Sequence, residues 1–288
     1  MTAASEMPVL ELTGLKKTYP LPGWPVRRRT VLDDVSFSLA AGEIVALVGE
    51  SGSGKSTLAR IVARLSRADA GSIKLEGADV LRTEPRHASL AYRARVQMVF
   101  QDPFASLNPV HHVRHHLARP LLVHGRARPA DVDARAAQLL ESVGLNPAQD
   151  FLDRHPHALS GGQRQRVAIA RALAAGPKVI VADEPTSMLD ASTRVGVLDL
   201  LRRLTRERGI SILLITHDLA TARHLADRVV VLAGGRVVEQ GVTANVFAAP
   251  SHPYTRTLLE ASRAARSAPP PPRPGEIVAA HLFLGKRD

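Results

Sequence analysis

The densest chemistry in the chain lies in Gly49-Glu50-Ser51-Gly52-Ser53-Gly54-Lys55-Ser56-Thr57. Its three glycines allow backbone conformations closed to other residues, which turns successive N–H groups toward one anion. Lys55 can reach β- and γ-phosphates, and the Ser56 hydroxyl is a ligand for magnesium. A buried strand, Ile44 to Val48, precedes the stretch, and a helical segment, Leu58 to Leu65, follows it. Strand, glycine loop and helix in that order form a phosphate-binding loop, with the positive helix end aimed at the phosphates. By itself the loop specifies a nucleoside triphosphate and no more.

Four further positions have suitable chemistry. Val96 to Phe100 reads as a buried strand ending at Gln101, whose neutral amide can reach a metal and a water beside a γ-phosphate. Lys178 to Glu184 is a strand ending in two carboxylates. Asp183 suits hydrated magnesium, and Glu184 suits the polarisation of an attacking water. Ser211 to Asp218 is a similar strand carrying His217 at its end, a donor for the γ-phosphate. Leu159-Ser160-Gly161-Gly162-Gln163 opens a helix reaching about Ala175. Ser160 is an N-cap residue, and the two glycines leave N–H groups unobstructed, so this is a second phosphate-binding end. The chain thus has one nucleotide to bind and two anion sites.

The elements that must position these groups alternate strand and helix, with one interruption. Val9 to Lys17 and Val31 to Leu39 read as strands joined by a loop, Pro20 to Thr30, that contains Pro20, Pro22, Gly23 and Pro25. Tyr19, at the first strand's end, is placed to stack on a base about thirty residues ahead of the phosphate loop. Gly71 to Gly77 is another strand bounded by glycines. From Pro109 to His157 the pattern turns helical, with helices predicted over Val113 to Leu122 and Ala130 to Val143, the latter stopped by Gly144. We expect this block to form a separate helical subdomain. It carries His111, His112, His115, His116 and His124. Their spacing matches a metal site, but no acidic or cysteine partners accompany them, and exposed histidines on a docking helix explain them as well.

Composition limits the alternatives. The chain has 288 residues, of which 45% are hydrophobic and 23% charged, ordinary for a globular protein with a sizeable core. No apolar run approaches the ~18 residues of a membrane span, and Met1 to Val9 does not read as an export signal. Without cysteine there are no disulfides, cysteine zinc sites or cysteine-bound iron–sulfur clusters. The net charge of +11 is carried mostly by arginine, since lysine occurs only at positions 16, 17, 55, 74, 178 and 286. The basic residues are scattered, Arg27-Arg28-Arg29 being the one run, and aromatics make up 3%. That scatter argues against a nucleic-acid partner.

Taken in this order and at these intervals, the stretches resemble the ATP-binding subunits of ABC transporters over about residues 9 to 248. Leu159 to Gln163 is the specific part, because many NTPases share the phosphate loop. The resemblance implies an α/β fold: a P-loop NTPase, RecA-like core with an antiparallel β subdomain and a helical signature subdomain of about residues 104–175. It implies that Tyr19 stacks on adenine, that Gly49 to Thr57 holds ATP, and that Ser56, Gln101 and Asp183 serve Mg2+. It also implies Glu184 as general base and His217 as the switch histidine, with Ser187-Met188-Leu189-Asp190 as the D-loop. The family usually has alanine where Met188 stands. In this family two ATPase subunits meet head to tail, so that Ser160 to Gln163 of one covers the ATP on the other. The surplus anion site is thereby explained.

A narrower resemblance, to the branch that energises dipeptide, oligopeptide and nickel uptake, rests on three runs. These are Phe100 to Pro109, His157 to Val167, and Ser251-His252-Pro253-Tyr254-Thr255-Arg256-Thr257-Leu258-Leu259. It implies a helix over 249–266. The tail over 267–288 departs from the longer members: Pro269 to Pro274, with Arg273 inside, reads as a stiff proline-rich linker, and the cysteine cluster that some relatives carry there is absent. It implies a peripheral protein on the cytoplasmic face of the cell membrane. Its partners would be two transmembrane permease subunits, a second ATPase subunit (the same chain or a paralogue) and, indirectly, an extracytoplasmic solute-binding protein. The rival classes are an import ATPase for nickel or another small solute, and a soluble ABC ATPase acting on DNA or ribosomes. The latter usually shows two cassettes or a long coiled coil, and neither is visible.

Overall fold

The computed structural model describes residues 7–23, 27–85 and 87–267. The proline-rich tail expected over 267–288 lies outside them beyond Ser267, as do Trp24, Pro25 and Val26 in the first loop.

The chain begins with an antiparallel pair, β1 (Leu10–Pro20) and β2 (Arg28–Leu39), and then enters β3 (Ile44–Val48) and α1 (Lys55–Val62). Next come β4 (Ala70–Leu75), β5 (Ala78–Asp79), the short helices α2 (Val80–Thr83) and α3 (Leu90–Arg95), and β6 (Val96–Val99). The helical block comprises α4 (Pro103–Ser106), α5 (Val113–Val123), α6 (Val132–Ser142), α7 (Gln149–Leu152) and α8 (Gly161–Leu173). The alternation then resumes with β7 (Val179–Asp183), α9 (Ala191–Arg208), β8 (Ser211–Ile215), α10 (Leu219–Leu225) and β9 (Arg228–Ala233). β10 (Arg236–Val242), α11 (Thr243–Ala248) and α12 (Pro253–Ser267) complete it.

The strands form two sheets: an antiparallel one ordered β2-β1-β4-β5, and a six-stranded one ordered β10-β9-β3-β8-β7-β6. Within the larger sheet β9, β3, β8, β7 and β6 run parallel, and only β10 is antiparallel to its neighbour. The strands β3, β7 and β8 are apolar at nearly every position because both faces are covered. Alternate residues divide them. Val45, Leu47, Val179, Val181, Leu213 and Ile215 join a core with the antiparallel sheet and α1. Ile44, Ala46, Ile180, Ala182, Ile212 and Leu214 join the core that continues into Leu117 and Leu121 of α5, Leu140 of α6 and Ile169 of α8.

Several expected boundaries shift. β1 extends through Tyr19 to Pro20, and β2 begins at Arg28, because pairing continues past three register irregularities to Tyr19 opposite Arg29 and Pro20 opposite Arg28. The loop expected over Pro20 to Thr30 is therefore shorter. The helix expected from Ala130 begins at Val132, after Asp131. The parallel order brings the ends of β3, β8, β7 and β6 side by side, the crevice where doubly wound sheets bind ligands.

Candidate functional site

Each of those four strands delivers one part of the site. The loop after β3 runs straight into α1 at Lys55 with Gly54 as N-cap. Two of its glycines are required by space as well as by torsion. A Cβ on Gly49 (φ 152°) would lie 2.1 Å from the Leu232 carbonyl oxygen, and one on Gly54 (φ 111°) would lie 2.7 Å from that of Val31. The loop is thus seated directly on the backbones of β9 and β2. Lys55 is buried, and its Nζ donates to the carbonyls of Gly49 at 2.8 Å and Glu50 at 2.7 Å. Burial lowers its pKa, against the opposing pull of the Glu184, Asp183 and Glu50 carboxylates.

At the end of β7, Asp183 and Glu184 diverge. Asp183 stays in the strand, buried, with the Ser56 hydroxyl donating to Oδ1 at 3.5 Å. Burial pushes its carboxyl pKa up, the neighbouring Glu184 carboxylate adds to that, and Ser56, Arg60 and Lys55 oppose it. Glu184 steps out of the strand in the left-handed region, at φ 47°. A non-glycine residue held there costs on the order of 1–3 kcal/mol and marks a constrained position. Its Oε2 accepts from Gln101 Nε2 at 3.0 Å, and its Oε1 lies 2.8 Å from Nδ1 of His217. Gln101 follows β6 and His217 follows β8.

These groups border a cavity of about 590 Å³ lined by Ser51, Gly52, Gly54, Lys55, Ser56, Thr57, Gln101, Glu184 and His217, together with Arg29 and Val31. The volume suits a nucleotide-sized ligand. The donor set suits a triphosphate with a hard divalent cation: a buried ammonium held by the Gly49 and Glu50 carbonyls and the Ser53 hydroxyl, a glycine cradle, and the Ser56 hydroxyl, Gln101 amide and Asp183 carboxylate as oxygen ligands. Gly49, Glu50, Ser53 and Asp183 do not line it. Tyr19 is also absent from the lining. It stands 39% exposed, with Lys17 Nζ 5.2 Å from its ring centroid, across the strand pair from Arg29. Sequence reasoning missed Arg29 and Val31, whose place depends on β2 passing over the loop.

The other expected groups lie elsewhere in the chain. Leu159, Ser160, Gly161, Gly162 and Gln163 are absent from the cavity lining. Ser160 caps α8 in a reciprocal box: the Gln163 N–H donates to Ser160 Oγ at 3.2 Å, and the Ser160 N–H donates to Gln163 Oε1 at 3.0 Å. That leaves Gly161 and Gly162 as the first-turn N–H groups the box does not use. Asp190 caps α9, accepting from the Ser192 hydroxyl at 2.6 Å and the Thr193 N–H at 2.9 Å, and these donors hold its carboxyl well below the usual range. Among the described residues no group of three or more His, Cys, Asp or Glu side chains could hold a metal ion. In the histidine-rich segment, His112 Nδ1 lies 2.6 Å from the Asp153 carbonyl and His116 Nε2 lies 3.1 Å from that of Asn108. His111 stacks on His115 at 3.9 Å between ring centroids.

Comparison with known proteins agrees with this geometry. A family model described as ABC transporter matches residues 32–187. The chain is 46% identical over 257 residues to a putative peptide import ATP-binding protein of Brucella ovis, covering 89% of this chain and 79% of the relative. It is 42% identical over 263 residues to the dipeptide transport ATP-binding protein of Escherichia coli, covering 90% and 78%. Among solved structures it is similar to a dimeric ATP-binding cassette in a post-hydrolysis state with ADP and Pi bound. That match has a TM-score of 0.72 and 31% identity, over 81% of this chain and 98% of the other.

Proposed function

The chain belongs to the ABC transporter family of ATP-binding subunits, and from that premise we propose that it hydrolyses ATP to power the import of di- or oligopeptides. The observation that carries the hydrolytic part is the bracketing of Glu184 by Gln101 and His217 at the ends of adjacent strands, beside the Gly49 to Thr57 loop. The peptide part rests on the relatives' names together with the run Ser251 to Leu259.

In this reading Lys55 exchanges the Gly49 and Glu50 carbonyls for phosphate oxygens, and loop N–H groups cradle the rest of the chain of phosphates. Glu184 polarises the attacking water and takes its proton, His217 steadies the γ-phosphate, and Gln101 reports on the site to the helical block. Ser56, Asp183 and Gln101 would hold Mg2+, which supplies charge neutralisation on the phosphates when bound. Ser160 to Gln163 would cover the ATP of a second ATPase subunit, with Asp190 at the same junction. Tyr19, half exposed beside Arg29, is assigned to the adenine.

The permease contact is assigned to a groove of about 790 Å³ where α5, α3 and β6 meet. Apolar Leu65, Leu90, Phe100 and Val123 are exposed there, between Arg64, Arg93 and Arg119. Arg171 of α8 also lines it and donates to the Ser106 carbonyl of α4, which ties the groove to the stretch after Gln101 and to the signature helix. No described helix is long and apolar enough to cross a membrane. In this reading the groove seats a cytoplasmic segment of one of two permease chains.

The test is a pull-down of the tagged protein from its native membranes in detergent with ATP and vanadate. Two permease chains, a second ATPase subunit and a solute-binding protein that holds peptides are expected. A binding protein loaded with nickel would reassign the solute, and ribosomal proteins or DNA without permeases would overturn the importer reading.

A further inference from the structure

The run Ser251 to Leu259 is left without a task by the hydrolytic machinery, and in the fold it returns to the phosphate loop. α12 starts beside β10, where the Glu239 carboxylate accepts from the Ser251 N–H and hydroxyl, both at 2.8 Å, and from the His252 N–H at 3.1 Å. His252 Nδ1 in turn accepts from the Tyr254 N–H at 3.1 Å. This chain of contacts fixes the first turn of α12, and Tyr254 and Leu258 pack on the core beneath. The Tyr254 phenol then meets the loop: the Glu50 N–H donates to its oxygen at 3.0 Å.

That contact matters because of what grips the other end of the same peptide unit. In a trans peptide the C=O and N–H point in opposite directions. The Gly49 carbonyl accepts from Lys55 Nζ, and the Glu50 N–H donates to Tyr254, so the Gly49–Glu50 peptide plane is held from both sides. When Lys55 turns to the phosphates the carbonyl loses its partner, and the phenol still holds the plane. Gly49 is also the residue whose missing Cβ lets the loop sit on Leu232, which ties the orientation of this peptide to the seat of the whole loop.

We propose that Tyr254 is a positioning residue for nucleotide binding: its phenol oxygen keeps the Gly49–Glu50 peptide oriented so that the phosphate loop is already formed when ATP arrives, and Glu239 sets the phenol's place by capping α12. This rests on the reading of Gly49 to Thr57 as the ATP loop. Tyr254→Phe keeps the ring and removes the acceptor. In the full chain, MgATP affinity measured by calorimetry should fall about three- to tenfold, the loss of one loop-ordering hydrogen bond. The nucleotide-free melting temperature should stay within about 2 °C of wild type. Glu239→Gln should also weaken MgATP binding. The double variant should bind no more weakly than the worse single one, because both changes act through the same peptide.

Wild-type affinity in Tyr254→Phe, or a lowered melting temperature with unchanged affinity, would overturn the positioning role. Additive losses in the double variant would overturn the part given to Glu239. Lys55→Ala separates the two levels. Its loss of MgATP affinity is expected. If Lys55→Ala bound MgATP like wild type, the loop assignment itself would fall and the Tyr254 proposal with it.

Discussion

Both oxygens of the Glu184 carboxylate are engaged, Oε1 with His217 Nδ1 at 2.8 Å and Oε2 with Gln101 Nε2 at 3.0 Å. Each carboxylate oxygen keeps a second lone pair, so a water that Glu184 is to polarise can be accepted at either oxygen beside the partner already there. The three side chains come from the ends of β7, β8 and β6, which lie side by side in the sheet.

Glu184→Gln preserves the shape of this bracket and removes the base. Hydrolysis should fall by at least about 10²–10³-fold, in line with the loss of a positioned general base. MgATP affinity should stay within about twofold, since Lys55 and the loop are untouched. Steady-state turnover and calorimetry on the same preparation separate the two effects. Undiminished turnover would remove Glu184 from its assigned role.

Asp183 yields a prediction with a defined sign. Its folded pKa is raised by burial, reinforced by the adjacent Glu184. A carboxylate raised in this way contributes stability below its unfolded pKa, and that contribution is lost as pH rises through the folded value. At neutral pH the charged side chain therefore destabilises the nucleotide-free protein. Asp183→Asn should raise the apo melting temperature at pH 7–8, by roughly 2 °C or more, with the gap to wild type closing toward acid pH. The same variant should lose the extra stabilisation that magnesium adds to ATP in the wild type. A lower apo melting temperature at neutral pH would contradict the burial argument.

Much of the hydrolytic site was legible before the fold because each part sits at the end of an apolar run. The strands ending at Val48, Asp183 and Ile215 are marked by their residue types, and the groups that follow are one or two residues away. What was illegible depends on chain segments far apart in sequence. Arg29 and Val31 reach the cavity only because β2 crosses the loop, and Tyr254 reaches Glu50 across 204 residues. The sequence treated Gly161 and Gly162 alike, as open N–H donors. The fold distinguishes them: a Cβ on Gly162 would lie 2.1 Å from Cγ2 of Thr193, whereas one on Gly161 would lie 3.6 Å from the nearest atom, of Leu189.

That difference is testable. Gly162→Ala forces α8 and the start of α9 apart, and overpacking of this kind costs about 1–3 kcal/mol. It should lower stability by that amount in chemical denaturation. Gly161→Ala should be close to neutral for stability. Replacing Thr193 by Ser removes the obstructing methyl, so Gly162→Ala combined with Thr193→Ser should recover most of the loss. Absence of recovery would mean that the clash at Thr193 is not what makes glycine necessary there.

The last prediction concerns acid. Burial alone would raise the Glu239 pKa, but the nearby Thr255 hydroxyl, which has no hydrogen-bond partner within bonding distance among the described residues, and the Ser251 and His252 groups that donate to the carboxylate more than reverse that and hold it at about 2, against an ordinary 4.5. A depressed carboxylate contributes stability above its unfolded pKa and loses it as pH falls through the folded value. The window is therefore pH 4.5 down to about 2. Above it, wild type should be more stable than Glu239→Gln by a constant margin, and within it the margin should shrink, because protonation turns the wild-type carboxylate into a neutral group like the amide. Other carboxylates titrate in both proteins, so the difference between the two stability curves isolates this one. Hydrogen exchange at Ser251 and His252 gives a local readout, since their N–H groups are the ones Glu239 holds. Their protection should fall on the Glu239→Gln change at pH 7 while that of the β3 amides is unaltered. A margin that stays constant down to pH 2 would show that the carboxylate's charge does not anchor α12.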